Sequence, residues 1–264
     1  MPPILRAKEY DSPSVFLPEN LLREARRQKA IATGQVPAIC VLDPDGDIVH
    51  GLLAASKTTR NPHWACYHTQ MYTFEQGGIE FGIVGCAVGA SFAVLVAEEM
   101  FASGCRLLIS VTSAGQILPC AEPPYFILIE RALRDEGTSY HYLPPADYAD
   151  IDRRLLSLLE GAFSTYAVPV YAGAVWTTDA PFRETSLAIA QAKAAGILAV
   201  EMEAAALYAF AQARQKPVIC FAHVTNQMAQ VEGDFEKGME AGSRDGLEVI
   251  RAAATAYLAS IADG

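Results

Sequence analysis

The sequence predicts an α/β protein with a single domain, in which helices flank a central mixed β-sheet. Short apolar runs alternate with helix-like segments along most of the chain. The 264 residues are 52% hydrophobic and 19% charged, a composition that supports a large core and excludes disorder. No internal repeat, low-complexity run or long linker divides the chain. We therefore expect an N-terminal extension and helix over residues 1–36, followed by one domain over residues 37–264.

Apolar runs that end at turn residues predict the strands. The first run, for example, ends at the turn Asp43-Pro44-Asp45-Gly46. We expect strands at 37–42, 81–84, 107–111, 125–130, 168–176 and 217–224, and an additional antiparallel strand at 67–74. Because helices lie between most of these runs, we expect the sheet to be buried on both faces.

Start and stop signals predict the helices. Ser91 is expected to cap one helix at its N-terminus, and Gly104 and Gly196 to end two others. Apolar residues from Leu247 to Ile261 recur at helical spacing and predict a final amphipathic helix. We expect helices at 21–31, 92–103, 152–160, 186–195, 201–214 and 245–261.

Charge and composition exclude several classes of partner. The net charge of −10 and the pI near 5.0 argue against nucleic acid and anionic membranes, which select clustered Lys and Arg. No apolar run is long enough to span a membrane, and the N-terminus has no signal-peptide pattern. The cysteines form no CxxC pair, and His63, Cys66 and His68 match no common zinc site. We expect a cytoplasmic protein with reduced cysteines, no metal and no cofactor.

Four polar clusters follow predicted strands, where α/β proteins bind their ligands. They are Thr112-Ser113-Ala114-Gly115, residues 177–185, Glu201-Met202-Glu203 and Thr225-Asn226-Gln227. Small side chains in the first cluster let a ligand approach backbone N–H groups, and the amides of the last suit a heterocycle edge. Ordinary turns and helix caps account for three of the four equally well.

The carboxylates Glu201 and Glu203 carry the strongest functional signal. They lie inside the apolar segment 197–207, which offers no solvent-exposed face. Carboxylates are rarely buried without partners, so a functional pair is favoured over a helix start that merely complements the helix dipole. A carboxylate in a cleft is a good acceptor for the two hydroxyls of a ribose.

Two other motifs argue against different enzyme classes. Gly85-x-x-x-Gly89 is not the GxGxxG of a dinucleotide site, which makes an oxidoreductase a weak alternative. The segment Gly89-Ala90-Ser91-Phe92-Ala93 lacks the final glycine of a GxSxG elbow, so a serine hydrolase is not expected.

Together the clusters resemble the nucleoside phosphorylase family, which includes uridine phosphorylase, hexameric purine nucleoside phosphorylase and the methylthioadenosine/adenosylhomocysteine nucleosidases. Glu201-Met202-Glu203, followed by small residues, resembles the family's ribose-binding segment. Ser113-Ala114-Gly115 resembles its Gly-[Ser/Thr]-x-Gly loop, with Thr112 where glycine is usual. The stretch from Thr178 to Phe182 resembles the segment beside the base, and Thr225-Asn226 stand in the place of Ser-Asp in the purine enzymes.

The resemblance implies cleavage of the N-glycosidic bond of a nucleoside or a related N-riboside. It implies catalytic roles for Glu203, which would hold the ribose hydroxyls, and for Asn226, which would hydrogen-bond the departing base. The implied substrate-binding residues are Thr112, Ser113, Ala114, Gly115, Thr178, Phe182, Arg183, Glu201 and Met202. Asn226 in place of Asp is compatible with a pyrimidine or a 6-oxopurine leaving group. The resemblance also implies a homo-oligomer, a dimer or a hexamer, with residues 60–72 at the interface.

The chain departs from the family where phosphorylases hold phosphate. The family's Gly-Asp-Pro-x-Arg loop is here Leu42-Asp43-Pro44-Asp45-Gly46, without the Gly or the Arg. Ser110 takes the place of a second phosphate arginine, and Arg60 is the candidate for a third. We therefore favour hydrolysis, as in the family's nucleosidases, over phosphorolysis with phosphate as co-substrate at a rebuilt anion site. A nucleoside-binding protein without catalytic activity is a further alternative.

Overall fold

The computed structural model describes residues 2–164, 169–227, 237 and 242–262. Its helices are α1 Pro18–Lys29, α2 Asp47–Ala54, α3 Ala90–Ala102, α4 Arg153–Leu158, α5 Ser186–Ala194, α6 Ala204–Arg214 and α7 Ser243–Ala262. Its strands are β1 Ile39–Asp43, β2 Thr59–Arg60, β3 Met71–Gln76, β4 Ile79–Gly85, β5 Leu107–Gln116, β6 Tyr125–Asp135, β7 Tyr148–Asp150, β8 Val170–Thr178, β9 Ala199–Glu201 and β10 Val218–Asn226. Short 3₁₀ turns cover Pro3–Leu5, Ser139–His141 and Pro181–Arg183.

The strands form one mixed sheet in the order β10-β6-β8-β9-β5-β1-β4-β3-β2, with β7 beside β6. β10 also pairs with β5, so β5, β10, β6, β8 and β9 close into a barrel from which β1, β4, β3 and β2 extend. Closure pairs the edges of these strands and leaves few backbone groups unsatisfied. Parallel pairs such as β1–β4 and antiparallel pairs such as β3–β4 both occur. The predicted fold class, an α/β domain with a mixed sheet and flanking helices, is confirmed.

The centre of the sheet is buried on both faces. Every residue of β1 and of β10 is buried, as their continuous apolar runs predict. The alanine-rich α6 buries all its positions from Ala204 to Phe210, because small side chains let a helix pack closely on neighbouring elements. α1 packs through Leu22 and Ala25 against Ala65 and the end of α3. Within the described part of the chain, no helix is both long and apolar enough to cross a bilayer.

β5 changes its neighbour halfway along, and this opens a gap in the sheet. From Leu107 to Ser110 it pairs with β1, and at Gly115 it begins to pair with β9. Its opposite side pairs with β10 throughout this stretch. The residues between Ser110 and Gly115 therefore face no described strand on one side, and their backbone groups can be reached by side chains.

Several predicted strands continue past their expected ends, among them β6 to Asp135 and β8 to Thr178. The sequence analysis ended β5 at Val111 and β10 at Val224, with polar loops beyond, but the strands continue to Gln116 and Asn226. Thr112, Ser113, Ala114 and Gly115 are thus strand residues, which corrects the expected loop. The reason is long-range: these residues pair with β10 in the closed barrel, and that pairing outweighs the weak strand preference of Ala114 and Gly115.

Local signals also misplaced some helix boundaries. Glu201 ends β9 instead of opening the following helix, and Gly89 rather than Ser91 is the N-cap of α3. Gly89 has φ +95°, a conformation that favours glycine. The sequence analysis missed α2, which begins directly after the acidic turn. The expected strand at 168–176 is found as β8, and residue 168 lies outside the described residues.

Candidate active site

Glu203 lies at the junction of β9 and α6, with its carboxylate inside the protein. The residue is 1% exposed. Its Oε1 accepts a hydrogen bond from the Gly89 N–H at 2.6 Å, and its Oε2 accepts one from the Thr112 hydroxyl at 2.8 Å. Both donors come from distant parts of the chain, one from the start of α3 and one from β5. The carboxylate is thus held from two sides beside the gap in the sheet.

Glu201 has a different set of partners. Its Oε2 accepts the N–H groups of Glu203 and Ala204 at 2.7 and 2.8 Å, and its Oε1 accepts a hydrogen bond from the Thr177 hydroxyl. The Thr177 oxygen in turn accepts the Ala205 N–H at 2.9 Å. These bonds satisfy N–H groups that the first turn of α6 leaves without helical partners. Glu201 therefore orients the backbone that carries Glu203.

Burial governs the charge of both carboxylates. It raises the pKa of Glu203 well above the usual range, and the charges of Glu201 and Asp45 raise it further. The Gly89 N–H and the Thr112 hydroxyl partly offset this rise. Burial also raises the pKa of Glu201, against the lowering effect of its three hydrogen-bond donors. A ligand that donates hydrogen bonds to Glu203 would stabilise its ionised form.

The acidic turn after β1 reaches the gap in the sheet. Asp45 Oδ2 accepts the Ser113 N–H at 2.7 Å, so a carboxylate of the protein itself occupies this exposed backbone donor. Asp43 is buried and accepts the Gly46 and Val49 N–H groups at 3.2 and 2.9 Å, which ties the turn to the start of α2. Burial raises the pKa of Asp43 to about 7, and the nearby acidic side chains contribute, while the two N–H groups act against them.

These residues line a cavity of about 10 Å³, close to the smallest that holds one water molecule. Its lining includes Asp43, Asp45, Asp47, Thr112, Ser113 and His223. Asp47 forms an ion pair with Lys237. Because Thr112 binds Glu203 and Ser113 binds Asp45, two consecutive residues of β5 connect this cavity to the buried carboxylate.

The other predicted substrate-binding residues lie on the far side of the gap. Gly115 is in register with Val200 of β9 on one side and with Asn226 of β10 on the other. Asn226 is buried, and its Nδ2 donates to the Thr225 hydroxyl at 3.1 Å. Thr178 is also buried and accepts the Ala180 N–H at 3.1 Å. The buried Ala114 precedes Gly115 in β5, and the half-buried Met202 directly follows the end of β9.

Phe182 and Arg183 are not brought into this cluster. They lie on the 3₁₀ turn Pro181–Arg183, where Phe182 is 98% exposed and Arg183 is also exposed. Their roles at the base remain predictions. The two candidates for an anion site differ in position. Ser110 of β5 is buried at the start of the gap, and its hydroxyl has no hydrogen-bond partner among the described residues. Arg60 is exposed on the edge strand β2, which β1, β4 and β3 separate from β5.

Sequence reasoning missed three residues that the structure places here. Gly89 was considered only in two motifs that the chain does not complete, and Thr177 only as one member of the cluster 177–185, without a role of its own. His223 was treated as an ordinary residue of an apolar strand, although a lone histidine in such a run is a signal for a polar contact. Among the described residues, no group of three or more side chains could hold a metal ion.

The fold and the site define an α/β enzyme class with a buried carboxylate at the end of a mixed barrel. Residues 38–259 match the family model described as the phosphorylase superfamily, and the chain belongs to this family. The family resemblance inferred from the sequence motifs is thereby confirmed.

Individual relatives include proteins of both reaction types. A guanosine phosphorylase from Halorubrum lacusprofundi is 26% identical over 166 residues, which are 63% of this chain and 66% of that protein, just under two thirds of its length. A uridine phosphorylase from Vibrio fischeri has a TM-score of 0.69 at 20% identity, covering 95% of this chain and 99% of that one. A 5′-methylthioadenosine/S-adenosylhomocysteine nucleosidase from Campylobacter jejuni has a TM-score of 0.67 at 17% identity, covering 82% and 98%. These two structures share the fold.

Proposed function

We propose that this chain hydrolyses the N-glycosidic bond of a nucleoside or a related N-riboside, with water as the nucleophile. One observation carries the choice of nucleophile: the Asp45 carboxylate occupies the Ser113 N–H beside a cavity of about 10 Å³. A cavity of that size suits one water molecule. A phosphate ion has five heavy atoms, so it would need Asp45 to leave its place.

The charges around the cavity support the same choice. Asp43, Asp45 and Asp47 line it, and Lys237 pairs with Asp47. Two like unit charges 4 Å apart repel by about 4 kcal/mol at an effective dielectric constant of about 20. A phosphate dianion would meet at least one such carboxylate at close range. A neutral water molecule meets no such repulsion and can donate hydrogen bonds to the carboxylates.

We assign the binding of the sugar to Glu203. The two carboxylate oxygens of Glu203 accept hydrogen bonds from different donors, Gly89 and Thr112, and retain lone pairs for the 2′- and 3′-hydroxyls of a ribose. Cleavage of an N-glycosidic bond develops positive charge on the sugar. A fixed carboxylate stabilises that charge more in the transition state than in the ground state, which lowers the barrier.

The bonds change as follows in the proposed reaction. The oxygen of water forms a bond to the anomeric carbon, while the bond from that carbon to the base nitrogen breaks and its electron pair goes to the base. Asp45 accepts the proton that water loses, as a general base. Asn226 donates a hydrogen bond to the departing base, which suits a pyrimidine or a 6-oxopurine. The base then takes up a proton from solvent, and Asp45 returns its proton to solvent, so the products are free ribose and the neutral base.

Phosphorolysis is the second candidate, because a guanosine phosphorylase is among the relatives. It requires phosphate to displace Asp45 from the Ser113 N–H. A nucleoside-binding protein without turnover is the third candidate. We further propose that the chain works as a homo-oligomer, a dimer or a hexamer, on the strength of the family resemblance and the aromatic-rich segment 60–72.

Turnover of uridine, inosine, guanosine and adenosine, measured with and without added phosphate, separates the three candidates. If the chain hydrolyses nucleosides, it should release the base in phosphate-free buffer and yield free ribose as the second product. Saturable dependence on phosphate with formation of ribose 1-phosphate would show phosphorolysis instead. Binding of a nucleoside without release of base in either buffer would leave only the binding protein.

A further inference from the structure

His223 is a buried imidazole to which the reaction described above gives no role. It lies in β10, is 7% exposed and stacks flat on Phe126, with ring centroids 4.4 Å apart and an interplanar angle of 8°. No hydrogen bond joins its ring to another described residue. Buried polar groups normally have a partner, either in the protein or in bound water. The ring nitrogens of His223 are not among the fully enclosed side-chain atoms of the described residues that lack a partner, so they can be reached by a water molecule in the cavity that this residue lines.

The packing around His223 fixes where its ring lies. Phe126 covers one face. A Cβ atom built on Gly242 would come within 2.2 Å of His223 Cε1, so only glycine leaves room for the ring at this point. The same ring lines the 10 Å³ cavity together with Asp45 and Ser113. An unpartnered imidazole and a carboxylate thus border one space of the size of a water molecule.

Burial, together with the Lys237 ammonium, keeps the ring neutral. Burial lowers the pKa of His223 to about 4; the Lys237 ammonium lowers it as well, and Asp47 acts in the opposite direction. Near pH 7 the imidazole therefore has one N–H donor and one acceptor nitrogen. It can bind water, but it is a poor acceptor for the proton that water loses on attack.

We propose that His223 is a positioning residue that holds, together with Asp45, the single water molecule that attacks the sugar. A buried water needs two to four polar partners. Asp45 and His223 supply two from the two sides of β5, one on the turn after β1 and the other on β10. Asp45 takes the proton, and His223 orients the oxygen. This inference rests on the proposed hydrolysis and adds the residue that fixes its nucleophile.

Two substitutions test the role. His223→Phe keeps the aromatic stack on Phe126 and removes the ring nitrogens. We expect an unchanged melting temperature and KM and a kcat about 100-fold lower, the typical cost of a reactant misplaced by about 1 Å. His223→Gln restores a donor and an acceptor and should recover part of kcat. His141→Phe, at an exposed histidine on the turn Ser139–His141, is the matched control and should leave kcat unchanged.

A third variant reports directly on the water. His223→Ala enlarges the cavity, so in water–methanol mixtures it should release methyl riboside beside ribose, whereas the natural chain should release ribose alone. A residue that only stabilised the fold would not change this product ratio. An unchanged kcat in His223→Phe, or an unchanged product ratio in His223→Ala, overturns the role of His223. A requirement for phosphate in the natural chain would instead overturn the proposed hydrolysis itself, so the two failures are distinguishable.

Discussion

Replacing Glu203 by Gln removes the negative charge that a bound sugar would stabilise on this carboxylate and leaves the shape of the side chain almost unchanged. The introduced amide oxygen can accept the Gly89 N–H, and the amide nitrogen can donate to the Thr112 hydroxyl. That hydroxyl can turn toward the Ser113 carbonyl, 3.4 Å away. All partners therefore remain satisfied, and the repulsion from Glu201 and Asp45 disappears. We expect the melting temperature of Glu203→Gln to equal or exceed that of the natural chain.

Activity should respond in the opposite way. A carboxylate about 4 Å from a positive charge on the sugar contributes about 4 kcal/mol at an effective dielectric constant of about 20. Each 1.36 kcal/mol corresponds to a factor of ten, so kcat/KM should fall by about 1,000-fold. The assay is release of free base from a nucleoside in phosphate-free buffer, followed by the change in ultraviolet absorbance.

Glu201→Ala is the matched contrast, because it changes the neighbouring carboxylate. It removes the acceptor for the Glu203 and Ala204 N–H groups at the start of α6. Buried donors without partners should cost on the order of 3 kcal/mol and lower the melting temperature. The reasoning fails if Glu203→Gln keeps its kcat/KM, or if Glu203→Gln unfolds more readily than Glu201→Ala.

The remaining predictions concern the acidic turn and the assembly. Asp45→Asn keeps an acceptor for the Ser113 N–H but loses the general base, so kcat should fall by about 100-fold or more with KM little changed; equal kcat values would exclude Asp45 as the base. Burial raises the pKa of Asp43 to about 7, so the folded chain holds this proton more tightly than the unfolded chain does. The contribution of this proton to stability is therefore fully present below about pH 4, the usual pKa of Asp, and is lost as the pH rises toward 7. The difference in unfolding free energy between the natural chain and Asp43→Asn should shift by up to about 4 kcal/mol over this range. A difference independent of pH would contradict this prediction. Sedimentation equilibrium should show a dimer or a hexamer, and substitutions within residues 60–72 should weaken it; an active monomer would refute the assembly.

Much of the fold follows from short-range patterns. The apolar runs from β1 to β10 mark the buried strands, because a strand covered on both faces needs apolar residues at every position. Thr185 at the start of α5 and Asp152 at the start of α4 cap their helices through side-chain hydrogen bonds, as residues of these types do. Such signals depend on a few neighbouring residues, so they can be recognised without the tertiary structure.

The length of β5 and β10 could not be recognised in this way. Their last residues have weak strand preferences, and they are extended because the two strands pair with each other across the closed barrel. The partners lie about a hundred positions apart in the chain. The free energy of such a pairing comes from contacts that no local window of sequence contains.

The sequence by itself determined the family, the α/β class and the importance of Glu201 and Glu203, since two carboxylates in an apolar segment demand partners whatever the fold. Only the tertiary structure decided what each of them does. Glu201 finds two of its three donors in the adjoining helix start, whereas Glu203 finds both in Gly89 and Thr112, far away along the chain. Likewise Asp45 meets the Ser113 N–H only because β5 leaves β1 before it reaches β9. Residue type sets what chemistry a side chain can do, and the long-range pairing of strands sets which groups it meets.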